Sequence, residues 1–179
     1  LIGRFNWLKG QGFFIEALSR LDKSVLDKID VKLVGSVFGN QHFYKDRVVE
    51  LVDKYQLHNT VQLEPFASDP SEYYRWAHIV VVPSVKPEPF GLVAIEGMSA
   101  GRAIIAAKHG GLTEIVKHNE TGYLFEPNNA DDFARAITAL VNDKEKILEF
   151  GRESRARFIE AFTDESYSTN LIKAIKDIQ

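Results

Sequence analysis

The sequence predicts an α/β fold, a doubly wound parallel sheet with helices on both faces. Three observations predict it. Short apolar, β-branched runs recur along the 179 residues. Between them lie stretches whose apolar residues return at helical spacing. The runs are apolar throughout rather than alternating, as strands buried on both faces are. Strand–helix alternation of this kind builds parallel sheets covered by helices.

Each element follows in order. Leu1-Ile2 reads as the end of a strand. Phe13, Phe14, Ala17, Leu18 and Leu21 share helical spacing, as do Val48, Leu51, Val52 and Tyr55. Val31-Lys32-Leu33-Val34, Val61-Gln62-Leu63, Ile79-Val80-Val81-Val82, Ala103-Ile104-Ile105-Ala106 and Tyr123-Leu124-Phe125 read as strands. Residues 91–100 form a compact apolar helix. Phe133, Ala136, Ile137 and Leu140 begin a helical C-terminal part. Residues 165–179 close it, with Leu171, Ala174, Ile175 and Ile178 on one side. That side packs on the chain's own core or docks on a partner domain. No repeat or linker interrupts residues 1–179, so a single domain is expected.

Composition narrows the function. A net charge of −3 argues against a nucleic-acid binder, which needs a basic face. The absence of cysteine excludes disulfides and thiolate metal sites. The apolar runs are too short to span a bilayer, so no membrane contact is indicated. Because Leu1-Ile2-Gly3-Arg4 reads as a strand end, an upstream segment is expected. A cytoplasmic location is expected too, with membrane association left to that segment.

In doubly wound folds, ligands bind at the carboxyl ends of strands. Three loops there carry chemistry. Gly3-Arg4-Phe5-Asn6-Trp7-Leu8-Lys9-Gly10 sets two cations where a helix N-terminus adds positive field. The loop is an anion site or merely two solvated cations. It is not a P-loop, since Lys9-Gly10-Gln11 breaks that pattern. In the second loop Glu88 precedes Pro89-Phe90-Gly91-Leu92, and Gly91 opens the apolar helix with unpaired amides. Glu96 is that helix's only charge, so it must be paired or hydrogen-bonded. A ribose diol would serve, and so would an internal cap or cation. In the third loop, Gly110-Gly111 opens a short helix at Leu112-Thr113-Glu114, and is either a ligand cradle or a plain tight turn.

The ordered set is more specific than its parts. Gly3-Arg4 with Lys9-Gly10, Glu88-Pro89-Phe90-Gly91 with Glu96 separated from Glu88 by seven residues, and Gly110-Gly111 with Glu114 resemble the signature of retaining glycosyltransferase family 4. The resemblance runs on through Gly122-Tyr123-Leu124-Phe125 and the helix from Asp131, and covers nearly the whole chain. It implies a Rossmann-like domain, the donor-binding C-terminal half of a GT-B fold. It implies a nucleotide-diphosphate-sugar as donor substrate and an acceptor-binding N-terminal domain in the same protein. The reaction implied is hexosyl transfer with retention, to a saccharide or lipid-linked acceptor. By resemblance, Arg4 and Lys9, beside Gly3, grip the diphosphate. Glu88 and the amides near Phe90, Gly91 and Leu92 contact sugar and phosphate. Glu96 holds the ribose, Pro65 and Phe66 border the base, and Gly110 and Gly111 complete the donor site.

The chain departs from that pattern at Gly97, where alanine is usual, and at Gly101-Arg102, where proline usually follows the glycine. Both are packing positions. No Asp-x-Asp triplet occurs and the histidines form no metal set, so no cofactor or metal is expected. Arg152, Arg155 and Arg157 read as a solvated helix face. Two other readings are a stand-alone nucleotide- or sugar-binding module and half of a GT-B-type nucleotide-sugar 2-epimerase.

Overall fold

The computed structural model describes residues 1–176. In chain order the elements are α1 (Gln11–Leu18), α2 (Lys23–Leu26), β1 (Val31–Val34), α3 (Phe43–Lys54), β2 (Val61–Glu64), α4 (Ser71–Trp76) and β3 (Ile79–Val82). Then come α5 (Leu92–Ser99), β4 (Ala103–Ala107), α6 (Leu112–Ile115), β5 (Gly122–Phe125), α7 (Ala130–Val141), α8 (Lys144–Ala161) and α9 (Asp164–Lys176).

Every pair of named strands is parallel, as the apolar runs predict. Pairing divides them into a two-stranded sheet, β1-β2, and a three-stranded sheet, β3-β4-β5. Leu1–Gly3 extends the first sheet: the Val34 amide donates to the Leu1 carbonyl at 2.9 Å, and the Gly3 amide to the Val34 carbonyl at 2.9 Å. The three loops therefore do not share one continuous hydrogen-bonded sheet edge. They meet at the seam between two sheets, where the Val85 amide donates to the Leu8 carbonyl at 2.9 Å.

Two apolar cores lie within the fold. One gathers Phe14, Ile15, Leu33, Leu51, Ile105, Phe125, Phe133 and Phe150. The other gathers Tyr74, Val80, Val82, Ala94, Met98, Ile104 and Leu112. β4 is buried along its whole length, so it offers an apolar face to each core. Gly97 explains one departure from the family pattern. A methyl group there would sit 2.9 Å from Ile104 Cδ1 and 3.0 Å from Val80 Cγ2, so alanine would require both side chains to give way.

The reading of Arg157 as a solvated cation is corrected, and Arg155, though exposed, is engaged too. Arg155 Nη1 donates to the Ser99 carbonyl at 2.5 Å, at the end of α5. Arg157 donates to the carbonyls of Ile115 and Glu114, at 2.7 and 2.5 Å, at the end of α6. Both cap helix C-termini, where carbonyls lack partners. Leu171 and Ile175 on α9 are exposed. Ile178 and the side chain of Ala174 lie outside the described residues. No described helix is long and apolar enough to cross a membrane.

Candidate functional site

The loop from Gly3 to Gly10 is shaped by Asn6, whose Oδ1 accepts from the amides of Leu8 at 3.0 Å and Lys9 at 2.9 Å. That turn swings Lys9 back over the seam. Buried Gln11 secures the loop's other arm by donating to the Arg4 carbonyl at 2.8 Å. The Arg4 side chain is exposed, with its guanidinium 5.6 Å from the centroid of the Phe38 ring.

Lys9 and Glu88 are paired with each other across the seam. Lys9 Nζ donates to both carboxylate oxygens of Glu88, at 2.8 and 2.9 Å. The Glu88 side chain is only 14% exposed, so the lysine offsets much of the cost of burying its charge. Buried Ser84 adds a third donor, its hydroxyl 2.8 Å from Glu88 Oε2. His109 Nε2 lies 2.7 Å from the Ser84 carbonyl. A carbonyl only accepts, so that nitrogen carries the proton.

Gly110 and Gly111 belong to the same cluster and pack against Glu88. The Gly111 amide donates to the Glu88 carbonyl at 2.8 Å and so is not free for a ligand. Gly110 sits at φ +57 and forms a parallel bridge with Glu88. A Cβ there would run into the Glu88 carbonyl oxygen and sit 2.7 Å from its amide nitrogen. These close approaches need glycine, and they let the third loop lie against the second.

Gly91 caps α5 and is buried, while Phe90 and Leu92 are exposed. The Gly91 carbonyl receives the amides of Ala94 and Ile95. The amides of Leu92 and Val93 have no hydrogen-bond partner among the described residues. They are the unpaired first-turn donors of a helix, beside Glu88.

Glu96 is partly buried one turn further along α5. Its Oε2 accepts the phenol of Tyr74 at 2.5 Å. Oε1 has no partner among the described residues. Burial first, and then Glu96, push the Tyr74 phenol far above its ordinary range, so it stays protonated. Pro65 and Phe66 follow β2 and are exposed, with no hydrogen bond to the cluster.

The structure thus brings Lys9, Glu88, Gly110 and Gly111 into direct contact. It sets Arg4 on the same loop as Lys9, and Glu96 behind the first turn of α5. Sequence reasoning missed Tyr74, Ser84 and His109. Their short segments gave no signal that Tyr74 and Ser84 reach the glutamates or that His109 reaches Ser84. Among the described residues, no three His, Cys, Asp or Glu side chains are grouped to hold a metal.

Relatives share this arrangement of elements. The chain is 34% identical over 159 residues to a D-inositol 3-phosphate glycosyltransferase of Pseudarthrobacter chlorophenolicus, covering 87% of this chain and 37% of that one. HepE of Anabaena, crystallised with UDP-glucose, superimposes with a TM-score of 0.86 at 27% identity, covering 98% of this chain and 48% of that one. The C-terminal domain of a group 1 glycosyl transferase from Francisella tularensis, LpcC, gives a TM-score of 0.79 at 27% identity, with 91% and 85% covered. The chain spans about a third of the length of the curated relatives it matches. A family model for glycosyl transferases group 1 matches residues 1–165. Together with the parallel α/β layers and the loop cluster at the seam, that match settles the family: the chain belongs to the glycosyl transferases group 1.

Proposed function

We propose that the chain is the donor-binding half of a hexosyltransferase acting with retention on a saccharide or lipid-linked acceptor. The observation that carries this reading is the Lys9–Glu88 pair beside the unpaired amides of α5. A cation and helix amides suit a diphosphate, and a carboxylate next to them suits sugar hydroxyls. Because HepE of Anabaena binds UDP-glucose, a uridine diphosphate sugar is the first donor to test.

When the bond from sugar to diphosphate breaks, negative charge collects on the leaving group. Arg4, Lys9 and the first turn of α5 stabilise that charge, as a divalent ion does elsewhere, so the reaction is metal-independent. Glu88 accepts hydroxyls of the hexose and orients its anomeric carbon. Glu96 accepts from the ribose hydroxyls. Pro65 and Phe66 border the base. The acceptor is held by a second, N-terminal domain, and orienting both reactants between two walls supplies much of the rate.

The test is to titrate the chain with UDP-glucose, and then assay radiolabelled glucose transfer by the chain and by the full-length enzyme on one acceptor. Binding without transfer by the chain, and transfer by the full-length enzyme, is the expected result. Equal turnover by both would overturn the division into halves, and no binding of any sugar nucleotide would overturn the donor site.

A further inference from the structure

α4 is a helix of six residues, yet it drives one large side chain into the core. Tyr74 is 5% exposed among Val80, Ala94 and Met98. Its helix is well anchored. Asp69 Oδ1 accepts the Ser71 amide at 2.9 Å at the start of α4, and Lys32 lies 5.7 Å from the Tyr73 ring and 4.9 Å from the Trp76 ring. A phenol buried in an apolar core needs a hydrogen-bond partner. Here the partner is the only charged side chain of α5.

We propose that Tyr74 is a positioning residue for the nucleotide: by donating to Glu96 Oε2 it fixes the carboxylate and leaves Oε1 for the ribose hydroxyls. This rests on the reading of Glu96 as the ribose contact. A carboxylate has about four lone-pair positions. Tyr74 occupies one of them, and Oε1 is unpartnered among the described residues. The phenol is neutral, so it orients Glu96 without cancelling its charge. A cation in its place would orient the group but weaken it as an acceptor. Tyr74 thereby turns a flexible glutamate into a fixed acceptor, and the site should favour a ribose over a sugar lacking its hydroxyls.

The experiment titrates the parent chain, Tyr74→Phe and Glu96→Asp with UDP and with 2′,3′-dideoxy-UDP in a calorimeter. The parent should bind UDP about tenfold more tightly, the worth of one charge-assisted hydrogen bond. Tyr74→Phe should unfold near the parental temperature and narrow that ratio to about threefold or less. Glu96→Asp keeps the charge but is one methylene too short to hold phenol and ribose together, and should narrow the ratio likewise. Because Glu96→Asp also moves the ribose contact itself, Tyr74→Met, which removes the donor and keeps an apolar side chain, decides the matter if Tyr74→Phe fails to fold. Parental discrimination kept by the folded variants would overturn the role of Tyr74 while leaving Glu96 at the ribose. No discrimination by the parent would remove the ribose contact, and this inference with it.

Discussion

Glu88 and Glu96 lie in one loop–helix unit, and the chain treats them in opposite ways. Glu88 is countered by a cation: Lys9 reaches across the seam between the sheets and binds both its oxygens. Glu96 is met by a neutral donor: Tyr74 takes one oxygen from the core side and leaves the charge uncancelled. Two glutamates that look equivalent in a motif therefore have different chemistry. The first is part of an ion pair, and on the proposed reading a phosphate claims its cation, so binding there is an exchange of partners. On the proposed reading the second is a preset acceptor, so ribose binding there adds a partner.

The comparison breaks most readily at the ion pair. Replacing Arg4 and Lys9 together by alanine should cost UDP binding about 3 kcal/mol or more, since each charge-assisted contact is worth roughly 1.5–3 kcal/mol. It should also leave Glu88 without its counter-charge. A double variant that titrates with UDP as the parent does would show that the loop is only a solvated surface. A smaller effect comes from the backbone beneath Glu88. Gly110→Ala forces a side chain into left-handed backbone against the Glu88 main chain. It should lower stability by about 2–3 kcal/mol, from backbone strain plus overpacking, and urea unfolding would read it. Parental stability would mean that the third loop is free to move away from Glu88.

Much of this fold is legible in the sequence because its signals are local. β3 is Ile79-Val80-Val81-Val82, a continuous apolar run buried from Val80 onward, and such a run reads as a strand at sight. The helix at α5 is legible from Gly91 onward for the same reason. Other features depend on distance in space. The division of the strands into two sheets depends on which edges pair, and apolar runs carry no register for that. Arg155 and Arg157 look like surface cations until α8 is seen to lie over the ends of α5 and α6. Tyr74 was illegible because α4 is too short to show a helical period. Glu96 was legible only as a charge in need of a partner, which its apolar helix makes plain. Its actual partner lies 22 residues away in the chain.

The most direct test of the divided roles pairs Glu88→Gln and Glu96→Gln against UDP and UDP-glucose by calorimetry. Glu96→Gln should weaken both ligands alike, by about 1.5 kcal/mol, because both carry the ribose. Glu88→Gln should weaken UDP-glucose by a similar amount. It should leave bare UDP unchanged or bound more tightly, since Lys9 is then released to the phosphate. Equal losses for both ligands in both variants would contradict the account, because the two glutamates would then serve one shared contact.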